Sequence, residues 1–338
     1  MSAHSPQWSE PGTYEVAPGV YRIPLPMPND GLRAVNVYAI EDADGVVLID
    51  TGWNVAEARE QLASGLSDIG YELADVRRFL ITHIHHDHYT LGVALRAEYG
   101  TPIALGQGER HSLELMLRHE YDDRFGEPLR WGVAEWMERF GSGYDPDEVR
   151  QVYDWPDEWL SGTTDIELNK RVLHAVPTPG HTRGHVVYRD PEAGLLFSGD
   201  HVLPHITPSI GFERAMARSP LSDYLDSLAL LRDYPDMRLL PAHGPVGDSV
   251  HQRVGELLEH HERRLAATEN AVREGARTVY ECAGRLGWTR RERSFAELGE
   301  FNQFLAVVET AAHLTVLADR QRVTVTDVAG VDHYAPRG

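Results

Sequence analysis

Short β-branched runs open the chain: residues 16–23, 34–40 and 45–49, separated by Pro, Asn, Asp and Gly, a pattern that predicts strands joined by tight connections. The apolar spacing then changes. Residues 55–69 predict a helix, 78–81 a buried strand, 91–99 a helix and 102–105 a strand. A second series follows, with strands at 171–176, 185–189 and 195–198, a helix at 221–234 and a strand at 238–240. Two such alternating halves predict an α/β protein with two stacked sheets flanked by helices. Between them, residues 108–162 break the rhythm with helical, aromatic-rich segments that carry Met116, Trp131 and Trp136. This stretch reads as an insertion, which serves either as core or as a lid over a substrate. Beyond Pro245 the strands cease, and helices at 249–274, 278–286 and 295–317 precede a β-like 322–326. The predicted division is a catalytic domain over 1–248 and a small, mainly helical unit with the layout of a winged helix over 249–338.

Composition narrows the function. A chain of 338 residues with 42% hydrophobic and 25% charged residues buries a large core. Its net charge of −20 is the wrong sign for neutralising phosphates, so nucleic acid is not an expected partner. The acidity lies in residues 1–250, and the remainder is near neutral. A single cysteine, Cys282, rules out an internal disulfide and Cys-rich zinc modules. The first thirty residues lack the apolar core of a signal peptide, and no uninterrupted apolar run approaches the ~18 residues of a membrane span. A cytoplasmic protein with no membrane partner is expected.

The chemistry concentrates in Leu-Ile-Thr-His-Ile-His-His-Asp-His-Tyr, residues 80–89. On an extended chain, side chains two apart point the same way, so His83 and His85 are expected to grip one ion. Asp87 and His88, where the chain turns toward the next helix, face a second. Imidazole with carboxylate suits zinc, and also iron or manganese. Three further segments present candidate ligands just past strands: His181 in Thr-Pro-Gly-His-Thr-Arg-Gly-His, Asp200 in Ser-Gly-Asp-His, and His243 in Pro-Ala-His-Gly-Pro. His185 and His201 are read as structural or supporting groups, and His205 as a contact for substrate.

In spacing, order and strand context these motifs resemble those of the metallo-β-lactamase-fold hydrolases, five motifs in order over residues 34–247. The resemblance implies an αββα sandwich of two mixed β-sheets flanked by helices. It implies that His83, His85 and His181 hold one divalent ion, that Asp87, His88 and His243 hold another, and that Asp200 bridges them. Asp50, in Leu-Ile-Asp-Thr-Gly, would support the site from behind the ligands. The ions, Zn2+ before Fe or Mn, would share a hydroxide that attacks a carbonyl, with Asp87 and Asp200 as the catalytic carboxylates. The C-terminal unit is similar to that of the branch containing glyoxalase II and thioesterases of secondary metabolism. The expected substrate is therefore a small-molecule or carrier-linked acyl thioester, of CoA, a carrier protein or glutathione. Lactones and β-lactams are the alternatives, with RNA behind them, and a homodimer is left open. Met116, Trp131 and Trp136 are the positions in the insertion expected to touch substrate.

Overall fold

The computed structural model describes residues 7–28, 31–118, 130–133, 151–213, 217–289 and 291–337. Strands β1 (Tyr14–Ala17), β2 (Val20–Pro26), β3 (Ala34–Asp42) and β4 (Gly45–Ile49) form an antiparallel meander. Strands β5 (Val76–Leu80), β6 (Ile103–Gly106) and β7 (Glu158–Leu160) extend it in parallel, completing a seven-stranded mixed sheet. The second sheet has five strands: β8 (Thr164–Glu167), β9 (Val172–Pro177), β10 (Val186–Asp190) and β11 (Leu195–Gly199) run antiparallel, and β12 (Arg238–Pro241) joins β11 in parallel.

Period-two alternation explains how these sheets stack. On β3, Val35, Val37 and Ala39 enter one apolar cluster, while Tyr38 and Ile40 enter another. Strand β4 divides Val46 and Leu48 from Val47 and Ile49 in the same way. In the second sheet, Tyr188, Leu195 and Phe197 share the cluster of Tyr38 and Ile49, and Val187 and Leu196 face away from it. Each sheet is thus apolar on both faces. One pair of faces meets in the middle of the molecule, and each outer face needs a helical cover.

Helices α1 (Ala56–Asp68), α2 (His86–Tyr99) and α3 (Arg110–Arg118) cover the first sheet. The second is covered by α4 (Pro220–Leu231) and α5 (Val250–Arg273). The αββα sandwich follows. After α5 come α6 (Val279–Ala283), α7 (Glu300–Asp319) and a hairpin of β13 (Val323–Val328) and β14 (Val331–Pro336). One apolar cluster runs from Val187 and Leu196 on the second sheet, through Leu221 and Leu228 of α4 and Leu257 of α5, to Val307 and Leu314 of α7. Helix α7 is long and apolar enough to cross a membrane, but Val307, Ala311, Leu314 and Leu317 are buried in this cluster.

Several boundaries differ from those the sequence predicts. Residues 16–23 are parts of two strands of a hairpin, because Gly19 turns the chain with φ +67°. Helix α2 begins at His86, well before residue 91, since its first turn carries polar ligands that hide the apolar periodicity. Strands β7 and β8 are too short and polar to announce themselves. Of the residues expected to touch substrate, Met116 is buried against the first sheet's helical layer and Trp131 in the cluster shared by the second sheet and α7. Both pack in apolar clusters, which favours the core alternative for these two positions. Trp136 lies outside the described residues.

The inter-sheet cluster sets the stability of this arrangement. Phe197, 1% exposed, meets Tyr38 edge-on at 5.3 Å between centroids. Phe197→Ala is expected to lower the free energy of unfolding by about 3–5 kcal/mol, measured by urea denaturation; a loss below about 1 kcal/mol would contradict close packing between the sheets.

Candidate metal centre

All the ligand candidates leave the sheets at the same edge. Strand β5 ends at Leu80, and His83 and His85 sit on the loop that leads into α2. The convergence of these two side chains is thus a property of that loop, not of an extended strand as their two-residue spacing suggests. Asp87 and His88 lie in the first turn of α2. His181 follows β9, Asp200 follows β11 and His243 follows β12. The His243 loop is clamped from the other sheet: Asn36 Nδ2 donates to Pro241 O and Gly244 O at 2.9 Å each, and the Tyr38 hydroxyl donates to Pro241 O at 2.8 Å.

Seven side chains meet there in two groups, one of His83, His85, His181 and Asp200, the other of Asp87, His88 and His243, each with its ligand atoms within 4.8 Å of one another. His83 Nε2 lies 2.9 Å from His85 Nδ1, and His181 Nε2 lies 3.2 Å and 3.1 Å from these two atoms. Ligands around a tetrahedral ion with bonds of 2.0–2.1 Å stand roughly 3.3 Å apart, so the triangle has the dimensions of one face of such a site. Asp200 lies between the groups. Its Oδ2 is 3.6 Å from His181 Nε2, and its Oδ1 is 3.3 Å from His243 Nε2 and 3.7 Å from His88 Nε2. Asp87 Oδ2 completes the second group, 3.4 Å from His88 Nε2 and 3.3 Å from His243 Nε2.

The far nitrogen of each imidazole is already engaged. His181 Nδ1 donates to Ser209 O at 2.7 Å, His243 Nδ1 to Ala34 O at 2.8 Å, and His85 Nε2 to Phe212 O at 3.3 Å. His88 Nδ1 donates to Asp50 Oδ2 at 2.8 Å. His83 Nδ1 donates to Thr82 Oγ1 at 3.0 Å, and that hydroxyl donates on to Asp50. These partners fix which nitrogen is bare and turn its lone pair inward. Three of the inward atoms, His88 Nε2, His243 Nε2 and Asp200 Oδ1, are buried without a well-formed hydrogen bond. Buried polar atoms left in this state fit an N/O-coordinated divalent cation.

Electrostatics divides the two groups. Burial, then the neighbouring imidazoles, holds His83 far below the usual imidazole range, and burial brings His85 down to about 3 and His181 to about 4. Burial acts the same way on His88, but Asp87, Asp50 and Asp200 outweigh it and hold that ring well above the ordinary value. His243 is likewise raised, against burial, by Asp200 and Asp87. Asp87 is held far below the carboxylate range by His88 and His243, again against burial.

Residues 30–243 match the family model of the metallo-beta-lactamase superfamily. The chain belongs to that superfamily. A protein of Bacillus subtilis (strain 168) described as a probable metallo-hydrolase, YqjP, is 25% identical over 312 residues, 90% of this chain and 92% of its own length. The crystal structure of a beta-lactamase domain protein from Burkholderia ambifaria superposes with a TM-score of 0.83 at 26% identity, covering 99% of this chain and 97% of that one. A metallo-beta-lactamase family protein from Thermus thermophilus gives 0.75 at 28% identity, covering 96% and 100%. The likeness to these two structures thus includes the C-terminal helical region, and the chain is a metallo-hydrolase of the superfamily.

The structure also assigns supporting residues. Asp50 takes φ +59°, a backbone conformation strained for a non-glycine residue, and accepts from Thr82 N at 2.8 Å as well as from His88. His185 Nε2 accepts the Asp200 N–H at 3.2 Å, while His185 Nδ1 lies 3.0 Å from Thr178 Oγ1. Gly199, at φ +50°, allows that approach, since a Cβ there would lie 2.7 Å from His185 Nε2. His201 is fully buried behind the site, its ring 5.0 Å from that of Tyr224, and His205 is exposed on the loop that carries Ser209 and Phe212.

Glu109 is the residue that sequence reasoning missed. Fully buried, it accepts the Thr182 hydroxyl and so anchors the His181 loop, with the Ile84 amide of the His83–His85 loop nearby. Burial lifts it to about 7 against the Thr182 bond. Its only trace in the sequence is the glycine beside its partner: a Cβ at Gly184 would collide with Glu109 N.

Two outcomes follow from this geometry. In the metal-free protein burial lowers the proton affinity of His85 and His181, whereas neighbouring carboxylates raise that of His88 and His243, so a cation at the second group competes with protons more strongly. Affinity at the second group should therefore rise with pH through the neutral range while that of the first stays flat. Zinc titration by calorimetry in buffers of different ionisation enthalpy should show proton release only for the weaker equivalent, and equal release for both would contradict the assignment. Glu109→Ala should weaken cation binding about 10–100-fold in a chelator competition, with Glu109→Gln closer to wild type.

Proposed function

We propose that this metallo-hydrolase is binuclear and hydrolyses acyl thioesters of a small-molecule or protein carrier. The observation that carries the binuclear reading is Asp200, whose two carboxylate oxygens turn toward different groups of imidazoles. His83, His85 and His181 would hold one zinc ion, Asp87, His88 and His243 the second, and Asp200 would offer an oxygen to each. When bound, the pair supplies Lewis acidity toward an acyl carbonyl and activates water at neutral pH.

The chain's own groups account for orientation and proton movement. Asp50, through Thr82 and His88, fixes one imidazole from each group. Asp87 and Asp200 provide the carboxylate oxygens that receive the proton as water's oxygen bonds to the acyl carbon. As the carbon–sulfur bond breaks, that proton passes to the departing thiolate, leaving a carboxylic acid and a thiol. The net charge of −20 weighs against RNA, whose phosphodiester backbone would meet repulsion along its whole length.

Metal-replete protein should cleave acyl-CoA thioesters in preference to lactones, a chromogenic β-lactam and RNA in one hydrolysis panel. Turnover confined to any of the other classes would overturn the thioester reading. Asp200→Ala should lower the metal content of both groups in elemental analysis and reduce kcat/KM by at least about a thousandfold.

A further inference from the structure

The segment His205–Glu213 faces two ways. Its backbone holds two ligands, through Ser209 O on His181 and Phe212 O on His85. Two large apolar side chains stand out from it, Ile206 42% and Phe212 36% exposed. The Phe212 ring stands 6.4 Å from the His85 ring and meets Phe301 and Phe304 of α7 near edge-on at 5.7 Å and 6.2 Å. Phe304 is partly buried and packed against the core, but Phe301 is 51% exposed at the start of the helix. A pair of exposed aromatic rings, Phe212 and Phe301, therefore runs from a residue whose carbonyl holds a candidate ligand to the start of α7, with exposed Ile206 on the same segment as Phe212.

This surface is built to stay where it is. Arg253 of α5 donates from Nε to Leu203 O at 2.6 Å and from Nη2 to Ile206 O at 2.9 Å, fastening the segment to a long helix. Aromatic area that stays exposed beside a buried polar cluster among the described residues is pre-organised for an apolar ligand. The polar cluster fixes where a scissile carbonyl must sit, and the aromatic run begins beside it.

We propose that Ile206, Phe212 and Phe301 form the wall that binds the hydrocarbon portion of the acyl group, which makes the substrate a medium- or long-chain acyl thioester and not an acetyl-sized one. This inference rests on the thioester reading. It makes the 205–213 segment and α7 a source of the apolar surface beside the site, and it gives α7 a role in choosing the substrate.

The test is a chain-length series of acyl-CoA thioesters, from two to twelve carbons, on the full-length metal-replete protein. For wild type, kcat/KM should rise with each added methylene by up to about fourfold. Phe301→Ala should flatten that rise, mainly through KM and without change in metal content or thermal melting, and Phe301→Leu should restore most of it. An unchanged slope in Phe301→Ala overturns the wall. If no thioester of any length is cleaved, the thioester reading fails separately, and the wall is then judged by calorimetric binding of decanoate against acetate. Tighter decanoate binding that Phe301→Ala weakens at least fivefold supports it, and equal binding by the two proteins overturns it.

Discussion

Five imidazoles and two carboxylates can share one buried volume only if something other than water fixes their direction and charge. The far nitrogen of every ligand imidazole has such a partner: a backbone carbonyl for His85, His181 and His243, Thr82 for His83, and Asp50 for His88. Without these partners the rings would turn to satisfy themselves on one another, because a buried unpaired nitrogen is costly. Asp50 is the pivotal one, since it reaches both groups and holds a strained backbone conformation to do so.

The sandwich makes that arrangement rigid. Both sheets are buried on both faces, so their strand ends cannot shift without disturbing the central packing of Tyr38, Ile49, Tyr188 and Phe197. Each ligand loop leaves such an end. Asn36 and Tyr38 of the first sheet grip the loop of the second that carries His243, and Glu109 anchors the loop of His181 through Thr182. The helical cover of the second sheet continues through α5 into α7, and Arg253 of α5 fastens the loop whose carbonyls hold His85 and His181.

The fold and the clustering of the candidate ligands were legible because they rest on local pattern. Alternation marks strands buried on two faces, and His-x-His-x-Asp-His is rare by chance. The supporting shell was less legible. Asp50 was found through its motif, but Glu109 sits far from any ligand in sequence, and its role depends on three loops meeting. Ser209 and Phe212 act through backbone carbonyls, which leave no residue-type signature at all. Trp131 and Met116 were ambiguous for the opposite reason: large apolar residues fit a core and a substrate pocket equally well, and their burial in apolar clusters favours the core.

The central claim is that the two groups hold separate cations with Asp200 between them. A crystal structure of the zinc-loaded protein with anomalous data at the zinc edge tests it most directly. The account predicts two peaks: one about 2.0–2.1 Å from His83 Nε2, His85 Nδ1 and His181 Nε2, the other at the same distance from His88 Nε2 and His243 Nε2 beside Asp87, with an oxygen of Asp200 toward each. A single peak, or a first ion bound by His85 through Nε2 with its bond to Phe212 broken, would contradict it.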